Sequence, residues 1–180
     1  MATLLQLTVF LIIVVIFISM LIATVSFAPW VPSPEEYLPD ILKMADIKAG
    51  ERFYDLGCGD GRVVILAAKN FNARATGIEL AIPRYLHALF SRLLSKVPNA
   101  NIAFGNLFNY NLADANVIYI YGMPHALEKR LSQKIEQECK AGTRIISFMF
   151  EIKKWKVAQM KSFPGTLHNQ EIIARLYVLP

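Results

Sequence analysis

The most specific chemistry in this chain lies in a short run, Asp55-Leu56-Gly57-Cys58-Gly59-Asp60-Gly61-Arg62, and in one acid further on, Glu79. Glycines at alternate positions permit a sharp turn and let a ligand approach backbone where any Cβ would collide. The run follows a β-rich stretch and opens a helical one, and Glu79 ends the next β-rich stretch, Thr76-Gly77-Ile78-Glu79. In a doubly wound sheet, an acid about 20 residues past the glycine turn accepts hydrogen bonds from ribose hydroxyls. A dinucleotide is the first rival. Its GxGxxG fingerprint would need glycine where this chain has Arg62, and Asp55 and Asp60 would repel a dianionic pyrophosphate. S-adenosylmethionine carries a sulfonium and an ammonium, which suit those acids. It is the expected cofactor, held by Asp55, Gly57, Gly59, Asp60, Gly61 and Glu79.

Placing these residues together requires strands and helices in alternation. Strand patterns fall at Arg52–Leu56, Ala73–Ile78, Asn101–Phe104, Asn116–Tyr121 and Thr143–Phe150, with a final one at Glu171–Leu179. Helical patterns fall between them at Gly61–Asn70, Pro83–Lys96 and Pro124–Cys139, the last stopped by Ala141-Gly142. This order predicts right-handed crossovers and an α/β fold, a Rossmann-like, doubly wound, mostly parallel sheet with helices on both faces. Ahead of it, Ser33 is expected to cap a short helix that starts at Pro34 and continues through Leu38, Ile41 and Leu42.

The hydrophobic share of 54% is concentrated at the start of the chain. Leu7 to Val25 contains no charge, glycine or proline and would span roughly 28 Å as a helix, close to a hydrocarbon core of about 30 Å. No Lys or Arg precedes Lys43, which argues against a cleaved signal peptide. The expected organisation is a transmembrane anchor over 1–28, a Pro-rich joint and short helix over 29–48 with Trp30 at the membrane interface, and a catalytic domain over 49–180. Cys58 and Cys139 show no metal-ligand spacing, no metal is expected, and two cysteines without a framework suit a reducing compartment. The net charge of +5 is uneven: Glu128 to Lys161 carries nine Lys or Arg against four Glu. That basic face is either solvated surface or a contact for anionic lipid.

The acid–glycine turn with Glu79 resembles the cofactor signature of class I methyltransferases, over roughly Val31 to the C-terminus. The resemblance implies that the turn packs on the methionine moiety, that Glu79 binds the ribose, and that Asn106, where an Asp is common, meets the adenine. The anchor, Val31-Pro32-Ser33-Pro34, Tyr119-Ile120-Tyr121-Gly122-Met123-Pro124-His125 and Phe150-Glu151-Ile152-Lys153-Lys154-Trp155 resemble a narrower group. These are the small membrane-anchored lysine methyltransferases of the mitochondrial inner membrane, which modify the ATP synthase c-ring protein or the adenine nucleotide translocase, and their prokaryotic relatives. The implied acceptor is a lysine of a membrane protein, reached from the cytoplasmic or matrix side, with the lipid bilayer as the second partner. Methylation of a lipid or quinone, or cofactor binding without turnover, are the alternatives. Nucleic acid is not expected as a partner, because an Asn-Pro-Pro-Tyr or Asp-Pro-Pro-Tyr motif is missing after the fourth strand. A lysine amine must lose its proton before attack, and desolvation in an aromatic slot favours that. Tyr121 and Trp155, at the ends of the fourth and fifth strands, are the expected catalytic slot. His125 is a candidate proton acceptor, and Tyr119 is expected to be core.

Overall fold

The computed structural model describes residues 2–27, 31–167 and 169–180. Trp30 and the start of the Pro-rich joint lie outside the described residues. A 25-residue helix α1 (Ala2–Ser26) leads into β1 (Arg52–Leu56), β2 (Arg74–Glu79), β3 (Ala100–Phe104), β4 (Val117–Ile120), β5 (Arg144–Phe148), β6 (Val157–Leu167) and β7 (Gln170–Val178). The strands form one sheet in the order β3-β2-β1-β4-β5-β7-β6. The first five run parallel, and β7 pairs antiparallel with both β5 and β6. The order reverses between β1 and β4. That reversal opens a crevice at the carboxyl ends of the strands, where open α/β sheets bind ligands.

Alternation along the strands builds a core on each face. Phe53, Tyr119, Ile146 and Phe148 meet α2 (Leu38–Lys43), α3 (Arg62–Phe71) and α4 (Ile82–Ser95) on one side. Tyr54, Leu56, Ile118, Ile120 and Tyr177 meet Leu107, Leu127, Leu131 and Ile135 on the other. The predicted Pro124–Cys139 helix contains a π-helical segment at Ala126–Leu131, followed by α5 (Ser132–Glu138). Between β3 and β4 there is one 3₁₀ turn, Leu107–Asn109.

Two expectations are corrected here. Ser33 does not cap a helix: it is buried, its hydroxyl pairs with that of Tyr119 at 2.7 Å, and α2 begins four residues after Pro34, at Leu38, without a side-chain cap. With its hydroxyl turned to Tyr119, Ser33 accepts no backbone N–H from any described residue. The second correction is β6, an eleven-residue edge strand where the sequence pattern predicts none. Most of its residues are exposed, so it lacks the alternating apolar pattern that marks a half-buried strand.

Candidate active site

A cleft of about 760 Å³, counting the part open to solvent, lies at the switch point between β1 and β4. Its floor is the glycine turn. Gly57, Gly59 and Gly61 all have positive φ, a conformation that costs glycine little and other residues more. Only Gly57 of the three lines the cleft. Gly59 donates its N–H to Glu79 Oε2 at 2.9 Å. A Cβ at Gly61 would come within 3.2 Å of Ala88 Cβ, so this glycine serves the packing of α3 on α4.

Glu79 is buried at the end of β2 and lines the cleft. Its carboxylate accepts from Gly59 N–H, Leu80 N–H at 3.0 Å and Ala81 N–H at 2.8 Å. Three of roughly four lone-pair sites are thereby committed, which fixes the carboxylate and leaves acceptor capacity toward the cleft. Asp55, also buried and cleft-lining, receives no hydrogen bond from any described residue. Burial pushes its carboxyl well above the usual range, and the charges of Glu79 and Asp60 push the same way. A buried carboxyl with no donor is the chemical complement of a ligand ammonium.

Asp60 also lines the cleft, but it shares its carboxylate with a neighbour. Its carboxylate is clamped by Arg62, with Nε at 3.0 and 2.9 Å from the two oxygens, and Arg62 N–H adds a bond at 3.2 Å. Arg62 also reaches Ser33 carbonyl at 3.3 Å and Glu35 at 3.4 Å. The pair therefore ties the segment after the joint to the glycine turn, and Asp60 presents little net charge to a ligand. Asn106 lines the cleft, and its Oδ1 accepts from Phe108 N–H at 3.0 Å, leaving the amide N–H₂ as a donor.

The slot expected between Tyr121 and Trp155 is not formed. Tyr121 lines the cleft just beyond β4 and packs edge-on to Phe148 at 4.9 Å. Trp155 does not line it: its ring lies 5.8 Å from Tyr177, and its Nε1 donates to Glu136. His125 is exposed at the start of the π-helical segment and does not line the cleft either. Tyr119 is core, as expected, although its hydroxyl also holds Ser33.

The residue that sequence reasoning missed is Phe27. At the end of the apolar helix it is buried, lines the cleft, and sits between Gly57 and Gly122. A Cβ on Gly57 would meet its ring at 3.1 Å, and one on Gly122 would overlap it. Met123 N–H donates to the Phe27 carbonyl at 3.4 Å, and Phe108 approaches its ring at 6.4 Å. Ala23, one helical turn earlier, also lines the cleft. The available signal was glycine itself: Gly122, after a strand and away from any turn motif, marked a place where something bulky comes close.

A mostly parallel 3-2-1-4-5-7-6 sheet with an acid–glycine turn, a buried acid fixed by backbone N–H groups at the end of β2 and a second buried acid in the same cleft defines a class I S-adenosylmethionine-dependent methyltransferase. A solved RNA methyltransferase from Salinibacter ruber, in complex with S-adenosyl-L-homocysteine, superposes with a TM-score of 0.77 at 27% identity, covering 83% of this chain and 94% of that one. TrmN from Thermus thermophilus shares the fold, with a TM-score of 0.67 at 14% identity, covering 81% of this chain and 49% of that one. The family model of the ANTKMT methyltransferase domain matches residues 55–159, and the chain belongs to that family. Among its relatives, a protein-lysine N-methyltransferase of Saccharolobus islandicus is 38% identical over 133 residues, 73% of this chain and 82% of the relative. The lysine N-methyltransferase of Mus musculus that is named for the c-type subunit of ATP synthase is 28% identical over 71% of this chain and 51% of its own length. This chain thus spans about half of the mouse protein.

Proposed function

We propose that this methyltransferase modifies the ε-amine of a lysine on a membrane protein, and that α1 crosses the bilayer from which the acceptor is presented. The observation that carries this reading is the placement of Phe27, which makes the end of an apolar, charge-free helix a wall of the cofactor cleft. Relatives named as lysine methyltransferases support the acceptor class. The 23 residues Thr3–Val25 are long and apolar enough to span a membrane, and few of them are buried in the domain. The catalytic domain is assigned to the cytosolic or matrix side. The cofactor is made in the cytosol, and Lys43, Lys48 and Arg52 follow the helix.

The residues present fit the cofactor. Asp55 would take the ammonium, Glu79 the ribose hydroxyls, and the Asn106 amide N–H₂ an acceptor nitrogen of the adenine, with the backbone at Gly57 along the methionine chain. S-adenosylmethionine supplies an electrophilic methyl group on sulfonium, and transfer to the amine leaves the thioether. The protein's part is to deliver a neutral, aligned amine. Phe27 and Tyr121, the latter backed by Phe148, give the cleft an aromatic wall, and desolvation there lowers an amine pKa from about 10.4 and releases its proton to water. Aromatic faces also steady the methylated cation.

The test uses the full chain in lipid vesicles with tritiated cofactor and a membrane-protein extract. Label should appear in methyl-lysine of the membrane fraction. Label recovered only in lipid, or in added RNA, overturns the acceptor assignment. Gly122→Ala should force the Phe27 ring aside and cut turnover by about tenfold or more, a barrier change of about 1.4 kcal/mol, at nearly unchanged cofactor affinity. Adding Phe27→Ala to Gly122→Ala should cost less than the sum of the two changes, because the contact is shared.

A further inference from the structure

Helix α4 carries an apolar stripe that no described residue covers. Leu86, Phe90, Leu93 and Leu94, at spacings of four, three and one, are 55%, 60%, 56% and 65% exposed, whereas Ala88 on the opposite side is fully buried. The spacing puts all four on one face. The helix has no acid and carries Arg84 and Arg92, with Lys96 at its end. Four large side chains more than half exposed on one helix is more than scattered surface apolarity.

The neighbouring element identifies the occupant. α1 packs on the start of α4, where Ser19 Oγ accepts the Ile82 N–H at 3.3 Å. Ser19 lies in the last third of the apolar stretch Thr3–Val25, about 9 Å before its end at 1.5 Å per residue. The first turn of α4 is therefore held level with the domain-side end of that stretch by α1 itself. From there an amphipathic helix with basic residues and an apolar Leu/Phe face has the composition of a segment lying in the lipid interface.

We infer that α4 is an interfacial helix, its Leu86–Leu94 stripe set into the bilayer that α1 crosses, so that the domain lies against the membrane on its α4 side. The inference rests on α1 being a membrane span. It also moves the lipid contact away from the basic loop Lys153–Lys156, where Lys153 and Lys154 are already paired with Glu128 and Glu136.

The experiment is site-directed spin labelling of the full chain in vesicles of phosphatidylcholine and phosphatidylglycerol, in a Cys139→Ser background. Labels go at Phe90→Cys and Leu94→Cys on the stripe, Ile13→Cys on α1, and Lys140→Cys on an exposed turn as the aqueous control. Collision with oxygen, which partitions into lipid, is compared with collision with a water-soluble nickel chelate. The stripe labels should favour oxygen as the Ile13 label does, and the Lys140 label should favour nickel. If Ile13 favours oxygen while both stripe labels behave like Lys140, the interfacial helix is wrong and the anchor stands. If Ile13 also favours nickel, the anchor fails and takes this inference with it. Dipolar broadening at Phe90 that disappears on dilution with unlabelled protein means a second copy covers the stripe, which also overturns it.

Discussion

A carboxyl group buried at a strand end resists ionisation, and Asp55 is in that position, with no donor among the described residues. At low pH both folded and unfolded chains carry its proton, and the residue has no effect on stability. As pH rises through the ordinary value of 3.8, the unfolded chain ionises first, so the cofactor-free protein loses stability until Asp55 itself ionises in the fold. Asp55→Asn removes that slope. Without cofactor, thermal unfolding should find the variant more stable than the parent at neutral pH, with the difference shrinking toward about pH 4. With cofactor the order reverses, because the ammonium loses its counter-charge, and parental affinity should rise with pH. Equal pH slopes for the two proteins would remove Asp55 from this role. Glu79 is a separate case, since its oxygens are anchored by three backbone N–H groups. Glu79→Ala should weaken cofactor binding by about 1–3 kcal/mol, the scale of hydrogen bonds to a charged group. Calorimetry that returns parental affinity would unseat the ribose assignment. That both acids line one cleft was legible because their spacing around one turn is local. The Asp60–Arg62 clamp is local as well, but in the sequence Arg62 speaks only against a dinucleotide, and its reach to the Ser33 carbonyl has no mark there.

At the scale of elements, the parallel strands and their helices were read to within about two residues at most ends, because buried parallel strands and amphipathic helices leave periodic traces. What escaped was set by distant partners. Ser33 and Tyr119 are 86 positions apart and pair through hydroxyls that either could have turned to solvent. The π-helical segment places Arg130 over the Phe108 ring at 3.9 Å, a match between two elements that neither sequence segment encodes alone. Trp155 looked like a slot residue because it follows β5, the usual edge of such a site, yet its partners Tyr177 and Glu136 belong to β7 and α5. Its half-buried ring is a brace between those elements. Trp155→Ala should therefore lower the unfolding midpoint, by the several degrees that about 1–3 kcal/mol represents in a domain of this size, and leave kcat near the parental value below that midpoint. A drop in kcat with an unchanged midpoint would return Trp155 to the active site.

At the scale of the whole molecule, the apolar helix and the catalytic domain share residues. Ala23 and Phe27 belong to α1 and its end and also line the cleft, and Ser19 holds α4. Removing residues 2–27 would strip a wall from the cleft together with the proposed anchor, so loss of activity in that truncation cannot measure localisation. Removing 2–18 separates the two, and that shorter protein should keep parental cofactor affinity while losing modification of embedded acceptors in vesicles.

The fixed distance between Ser19 and Phe27 gives the enzyme a preferred altitude. Eight helical residues place Phe27 about 12 Å further along the axis than the point where α4 meets α1. For the membrane-protein acceptor proposed above, a target lysine has to stand level with the cleft, since a rigid helix cannot lower or raise the cleft to meet it. Selection then depends less on the residues flanking the lysine than on where its chain leaves the membrane. Moving a single lysine turn by turn along one transmembrane host helix should give a rate that peaks at one position and falls by about tenfold, or 1.4 kcal/mol, within two turns on either side. A flat profile would show that the cleft is free to travel.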